Sequence, residues 1–183
     1  MVGTKLIELK EEIKHYIGLP YSKNLLKNGK IIKEKILGGK GSAKEIALKT
    51  IEIANDKNIK LLSLSPQEIY NFQKKNNIGI DCSGLVCQLL NFYLGTNLNP
   101  RKNSANMLTS KPLSKEIKAT EIKTGDLARQ KNGHHVLFII EKNGNIIEYV
   151  DSSLSGRGVK YGQADLTDKN FIHQGFWRLL FLN

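Results

Sequence analysis

Cysteine is scarce in this chain, and no long apolar run is present. The chain has two cysteines, Cys82 and Cys87, whose helical spacing turns the thiols apart and provides no disulfide framework. No apolar run approaches the roughly 20 residues of a membrane-spanning helix. The N-terminus leads into Glu8, Glu11 and Glu12, unlike a signal peptide. We therefore expect no membrane span, and a location in the cytoplasm or export by a non-classical route.

Acidic residues are also few compared with basic residues. The 183 residues include 28 Lys and Arg against 17 Asp and Glu, a net charge of +11. Such a surface favours electrostatic association with anionic polymers. Specific nucleic-acid binding is not expected, because no basic helix is interleaved with aromatic residues. The length suits one domain, and no internal repeat or low-complexity linker divides the chain.

The run Asp81-Cys82-Ser83-Gly84-Leu85-Val86 places a cysteine where a loop ends and a helical pattern begins. Apolar residues continue at helical spacing to Leu94, and Gly95 is suited to end the helix. Cys82 is therefore predicted in the first turn, where unpaired N–H groups and the positive end of the helix dipole favour a thiolate. Cys87 lies further along the helix and is predicted to be a packed core thiol.

A thiol nucleophile requires a base, and two of the four histidines occupy a suitable position. His134 and His135 follow a glycine and open the apolar run 136–140, which is predicted as a strand. Because side chains alternate along a strand, only one of these two histidines faces the packed helix. His15 and His173 lie in amphipathic and aromatic segments, where structural or surface roles are expected.

Three motifs in chain order resemble those of the NlpC/P60 cysteine peptidases, which are papain-like cell-wall hydrolases. They are Asp81-Cys82-Ser83-Gly84-Leu85-Val86, Thr124-Gly125-Asp126-Leu127 and His135-Val136, and they span about residues 78–160. The resemblance implies a papain-like α+β fold, with the nucleophile at the N-terminus of a helix packed on an antiparallel sheet. It also implies hydrolysis of amide bonds through an acyl-enzyme thioester, with peptidoglycan stem peptides as the expected substrate.

The same resemblance implies a catalytic role for three positions of this sequence. Cys82 attacks the amide carbon, and His135 is the general base. A third residue orients the imidazole, and Asp151 is preferred because Ser152-Ser153 and a glycine-rich loop follow it, as in the family. Glu148 is the alternative because it fits the hairpin length better. A carboxylate departs from the commoner His, Asn or Gln, but it also fixes the tautomer and stabilises the imidazolium.

Two further positions are expected beside the oxyanion. Leu19-Pro20-Tyr21 resembles a family segment whose tyrosine stabilises the oxyanion, although a longer insertion separates it from Cys82 here. The alternative for Tyr21 is a packed, structural side chain. The second donor is a backbone N–H at Cys82 or Ser83, and the Ser83 side chain is an N-cap candidate. Asp126 is expected to be structural, because a Gly-Asp turn is sufficient to explain it.

The region before the cysteine motif is predicted to be mainly helical. Ser42-Ala43-Lys44-Glu45 and Ser65-Pro66-Gln67-Glu68 are capping boxes, each opening an amphipathic stretch. A loop at 27–30 and a glycine cluster precede them. We expect one catalytic domain over the whole chain, with a helical insertion at about 22–76 that shapes one wall of the substrate groove. Residues 176–181 are predicted as the last strand.

Two other functions are compatible with the motifs around Cys82 and His135. An acyltransferase or esterase would use the same thioester chemistry on the same scaffold, and an inactive binding domain would keep the fold without turnover. The intact pair of Cys82 and His135 argues against the inactive domain. No metal or organic cofactor is expected, since the histidine pair lacks the Cys/His spacing of a zinc site.

Overall fold

The computed structural model describes residues 2–27 and 30–180 of the chain. Within them lie the α-helices α1 (Val2–Lys14), α2 (Ala43–Asp56), α3 (Pro66–Lys75), α4 (Cys82–Leu94) and α5 (Ala105–Leu108). The strands are β1 (Leu25–Lys27), β2 (Lys30–Lys33), β3 (Ser114–Ile117), β4 (Leu127–Gln130), β5 (His135–Asn143), β6 (Ile146–Ser153), β7 (Gly158–Asp165) and β8 (Phe176–Leu179). None of these described helices has both the length and the apolar character needed to cross a membrane.

Six strands form one antiparallel sheet in the order β3-β8-β4-β5-β6-β7. Helix α4 packs on β5 and β6, and α1 packs on α4. Side chains alternate along β5, so Val136 and Phe138 join the core under α4, whereas Leu137 and Ile139 join a second cluster. The expected α+β fold, with a cysteine-bearing helix on an antiparallel sheet, is confirmed.

Helix α4 begins at Cys82 and ends before Gly95, as the apolar spacing predicts. The side chain of Asp81 accepts a 2.7 Å hydrogen bond from the N–H of Gly84, which satisfies one of the free donors of the first turn. Gly95 adopts the left-handed conformation (φ 68°) that ends the helix. Asp81 is therefore the N-cap. The expectation that Ser83 caps the helix is wrong, because Ser83 already lies inside the first turn.

Both predicted capping boxes are present in the region before α4. The side chain and backbone of Ser42 exchange hydrogen bonds with Glu45 at the start of α2. Ser65 and Glu68 do the same at the start of α3, where Pro66 occupies the first turn. These local hydrogen bonds explain why two helices begin where the sequence indicates.

Strands β1 and β2 form a separate hairpin inside residues 22–76, where the sequence predicts a helical insertion with a loop at 27–30. Leu26 lies opposite Ile31, and the side chains of both strands are exposed. Aliphatic and β-branched residues before and after residues 28 and 29 account for the two strands. Asn28 and Gly29 of the predicted loop, and Phe181 of the predicted last strand, lie outside the described residues.

The first turn of α4 lies against the backbone of the glycine-rich segment 38–41. The carbonyl oxygen of Gly39 accepts a 2.9 Å hydrogen bond from the N–H of Asp81. A Cβ atom at Gly84 would lie 2.3 Å from the same oxygen, closer than nonbonded atoms approach. Position 84 therefore requires glycine for close packing, even though glycine is a poor helix former.

Replacing Gly84 by alanine tests this close packing. Helix propensity alone predicts stabilisation by about 1 kcal/mol, since alanine is the better helix former. Overpacking against Gly39 predicts the opposite sign, and we expect the free energy of unfolding to fall by about 1–3 kcal/mol. Urea unfolding followed by circular dichroism measures the difference. An unchanged or higher unfolding midpoint would contradict the close approach.

Candidate active site

Cys82 is the first residue of α4. Contacts from distant parts of the chain hold the residues just before it in place. The hydroxyl of Ser152 donates a 2.7 Å hydrogen bond to the carbonyl oxygen of Ile80, which ties the end of β6 to the residues before the helix. The sulfur of Cys82 lies 4.0 Å from the carbonyl oxygen of His134. The N–H groups of a first turn have no partners inside their helix, so this end of α4 favours a developing negative charge.

His135 and Asp151 lie side by side at the ends of neighbouring strands. Phe138 of β5 pairs with Val150 of β6, which brings the start of one strand beside the end of the other. Nε2 of His135 lies 3.1 Å from Oδ2 of Asp151, and the two side chains are only 8% and 7% exposed. Oδ1 of Asp151 has no hydrogen-bond partner among the described residues. The carboxylate therefore interacts mainly with the imidazole.

The surroundings of His135 favour the protonated ring. Burial lowers its pKa, but side-chain hydrogen bonds with Asp151 and Cys82, together with the charges of both, outweigh burial and raise the pKa to about 9. Because Asp151 occupies Nε2, Nδ1 is the nitrogen left for Cys82. His135 thus links the thiol to the carboxylate, an arrangement typical of a nucleophile, a base and an orienting acid.

The backbone of Tyr21 lies beside the residues that precede Cys82. It forms an isolated parallel bridge with Ile80, and the carbonyl oxygen of Pro20 accepts a 3.0 Å hydrogen bond from the N–H of Ile80. Burial, followed by the negative charges of Cys82 and Asp81, raises the pKa of the half-buried phenol. The side chain therefore lies close enough to the cysteine to interact with charge there, despite the long intervening insertion.

Lys40 is a functional candidate that the sequence motifs do not reveal. Its Nζ lies 2.8 Å from Oδ1 of Asp81 and also donates a hydrogen bond to the hydroxyl of Ser83. The two residues that flank Cys82 therefore share one cation, whose side chain is 16% exposed. The sequence signal for this role is Gly39 before Lys40, because a Cβ atom there would lie 2.0 Å from the carbonyl oxygen of Ser22 and 3.3 Å from the backbone nitrogen of Asp81.

Other sequence candidates lie apart from this cluster. The described partners of Glu148 are Gln163, at 3.2 Å, and Lys10, at 4.0 Å. Cys87 is packed in the core, and burial raises its pKa to about 12. His134 is exposed on the wall of a groove beside Cys82, so its neighbour His135 is the histidine that faces inward.

Asp126 forms an ion pair that joins β8 to the turn before β4. Its two carboxylate oxygens accept hydrogen bonds of 2.8 Å each from the guanidinium of Arg178, and Oδ2 accepts another from the N–H of Lys123. The hydrogen bond with Asp126 is the main cause of the raised pKa of Arg178. These contacts give Asp126 a structural role. His15 is exposed, and the ring of His173 packs between two phenylalanines.

The motif region also matches a known family. Residues 67–175 match the model of the NlpC/P60 family. The chain belongs to the NlpC/P60 family. Members are in general cysteine peptidases or amidases of the cell wall. The matched span contains Cys82, His135 and Asp151, whereas Tyr21 and Lys40 precede it. Comparison with curated proteins finds no significant match.

In this NlpC/P60 chain, Cys82 opens onto a groove of about 650 Å³, a size typical of ligand sites. Tyr21, Lys40 and the hairpin of β1 and β2 line it, together with the segment 101–107. The sequence did not indicate that segment, because it carries no motif. Three exposed cations also line the groove, namely Lys23, Arg101 and Lys102. Among the described residues, no group of three or more His, Cys, Asp or Glu side chains is placed to hold a metal ion.

The raised pKa of His135 predicts a dependence of stability on pH. A histidine with a pKa of about 9 when folded and 6.5 when unfolded contributes stability fully below pH 6.5 and loses it as the pH rises through 9. We expect Asp151→Asn to lower the pKa of His135 by about 1–3 units, because it removes the negative partner. NMR titration of the ring measures this shift directly.

Unfolding experiments provide a second readout of the same substitution. Between about pH 6 and about pH 9.5, the free energy of unfolding should decline less in Asp151→Asn than in the wild type. Superimposable titration curves for His135 in the two proteins would show that Asp151 does not control the imidazole.

Proposed function

We propose that this protein is a cysteine hydrolase that cleaves amide bonds in peptidoglycan stem peptides. In this proposal Cys82 is the nucleophile, His135 the general base and Asp151 the acid that orients the imidazole. The proposal rests on one buried imidazole that is hydrogen-bonded to Asp151 and whose pKa responds to Cys82, with Cys82 on the wall of a groove. Membership of the NlpC/P60 family supports the same chemistry.

Acylation begins at the sulfur of Cys82. The raised pKa of His135 keeps the thiol proton on the imidazole, so the thiolate of Cys82 bonds to the amide carbon and the carbonyl electron pair moves to oxygen as an oxyanion. The oxyanion collapses, the carbon–nitrogen bond breaks, and His135 gives its proton to the leaving nitrogen. A free amine departs and a thioester remains on Cys82. The raised pKa of His135 suits the last transfer, because the leaving nitrogen needs a proton donor at neutral pH.

Hydrolysis of the thioester regenerates the enzyme. A water molecule gives a proton to His135 and attacks the thioester carbon, the carbon–sulfur bond breaks, and the acid leaves while the thiolate of Cys82 pairs again with the protonated His135. We assign stabilisation of the oxyanion in both steps to the backbone N–H groups at Cys82 and Ser83 and to the phenol of Tyr21. Burial of Tyr21 supports this role, since a phenol with a raised pKa stays protonated and keeps its donor.

Asp151 acts on the reaction through His135. Its hydrogen bond to Nε2 directs Nδ1 towards Cys82 and stabilises the imidazolium that holds the thiol proton. The hydrogen bond from Ser152 to Ile80 supports this geometry, because it links the strand carrying the acid to the helix carrying the nucleophile. Glu148 is given no part in this scheme.

The charge of the groove favours an anionic substrate. Of the described residues, four cations line the groove against two acids, Glu34 and Asp81, in a chain whose net charge is +11; the cations are Lys23, Lys40, Arg101 and Lys102. Such cations raise the local concentration of peptides and polymers that carry carboxylates. Stem peptides of the cell wall meet this condition, and the family acts on the cell wall in general.

Replacing Cys82 by alanine tests the hydrolase proposal, with Cys87→Ala as the matched control. Wild type and both variants are incubated with purified muropeptides and with an unbiased peptide library, and mass spectrometry identifies new termini. We expect cleavage by the wild type and by Cys87→Ala, and a loss of about 10⁴-fold or more in Cys82→Ala. Ester substrates and amine acceptors in the same assay reveal esterase or acyltransferase activity. Absence of any amide cleavage that depends on Cys82 would contradict the proposal.

A second pair of variants tests the third catalytic position. We expect Asp151→Ala to lower kcat by about 10²–10⁴-fold, because the imidazole loses the partner that orients it and stabilises its charge. Glu148→Ala should change kcat little, since its partners lie away from His135. Steady-state kinetics on the best substrate of the library compares the two. The reverse ranking would transfer the role to Glu148.

A further inference from the structure

Three large apolar side chains are exposed in the groove that contains Cys82. Leu26 and Ile31 of the hairpin are 57% and 55% exposed, and Met107 of α5 is 46% exposed. Single exposed aliphatic residues are ordinary on a protein surface, but several that line one groove are typical of a ligand site. The chemistry proposed for Cys82 does not use these residues.

The elements that carry the three side chains are anchored to the rest of the molecule. Leu26 and Ile31 are cross-strand partners, which places their side chains on one face of the hairpin. The side chain of Asn24 closes the hairpin base by accepting a 2.8 Å hydrogen bond from the N–H of Lys35. On α5, Ala105 and Leu108 next to Met107 are buried in the main core. Their anchoring keeps the apolar side chains at the groove.

We propose that Leu26, Ile31 and Met107 form an apolar subsite that binds an aliphatic side chain of the substrate near the scissile amide. The inference rests on the proposed function in taking the substrate to be a peptide, but it concerns recognition and not the bond-breaking chemistry. A groove of about 650 Å³ holds a ligand of drug-like size, hence only a few peptide residues. A side chain bound there therefore belongs to a residue close to the amide that Cys82 attacks. A protein partner would need a larger surface.

Leu25 and Ile32 provide a comparison within the same hairpin. They are 50% and 57% exposed, but neither lines the groove. A double substitution at Leu25 and Ile32 changes the same residue types in the same two strands as one at Leu26 and Ile31. Any difference between the two double variants therefore reports contact with the groove and not the stability of the hairpin.

Kinetics with paired peptides measures the selectivity of the subsite. The two peptides are cleaved through Cys82 and differ by leucine or asparagine beside the scissile amide. We expect the wild type to prefer the leucine peptide by about tenfold or more in kcat/KM, mainly through KM, because the subsite adds binding and not chemistry. Leu26→Ser with Ile31→Ser should abolish this preference, and Leu25→Ser with Ile32→Ser should retain it. No preference in the wild type, or equal loss in both double variants, would overturn the inference.

Binding without turnover separates the subsite from the proposed hydrolysis. Methyl NMR of the Cys82→Ala protein follows the three side chains during titration with N-acetyl-leucine amide or N-acetyl-asparagine amide. We expect the leucine compound to shift the methyl signals of Leu26, Ile31 and Met107 and the asparagine compound to leave them in place. Absence of these shifts would overturn the subsite even if the wild type cleaves amides. Shifts without any amide cleavage would support the subsite and overturn the hydrolase proposal.

Discussion

Close packing at the first turn of α4 is the constraint on which the rest of the site depends. The backbone of Gly39 lies against Asp81 and Gly84, and it leaves no room for a side chain on the helix at that point. Because close-packed interiors transmit strain, a shift of this turn would move Cys82 relative to His135. A hydrogen bond from the end of β6 restrains the same segment from the sheet side. The segment that carries the cysteine is therefore restrained both from the glycine-rich segment and from the sheet.

The buried charges described around Cys82 occur in pairs. Asp81 is bonded to Lys40, and Asp151 is bonded to His135. Burying an unpaired charge is costly, so these pairs make the arrangement compatible with a folded core. Lys40 has a second effect, because the carboxylate that caps α4 would otherwise oppose negative charge on the sulfur or on an oxyanion. The segment before the helix thus offsets an electrostatic disadvantage of the acidic cap.

The family span and the residues before it contribute different parts of the site. The span 67–175 contains the three residues proposed to carry out the reaction. Tyr21, Lys40 and the hairpin of β1 and β2 precede that span, yet they line the same groove. The proposed chemistry therefore depends on the portion shared with the family. In the proposed subsite, Leu26 and Ile31 come from the preceding portion, whereas Met107 comes from the family span, as do Arg101 and Lys102 of the groove.

The sequence by itself determined the elements whose causes are local. Apolar spacing closed by a glycine predicted α4, and serine–glutamate pairs predicted the starts of α2 and α3, because caps are satisfied within one helical turn. The hairpin of β1 and β2 escaped prediction because short strands depend on their neighbours more than on propensity. The resemblance favoured Asp151 but kept Glu148 as the alternative, and the tertiary structure decided between them by placing Asp151 beside His135. Only the tertiary structure revealed Lys40 beside Asp81. Strand register and contacts between distant segments determine which of these side chains lie next to each other. A local sequence pattern does not contain that information.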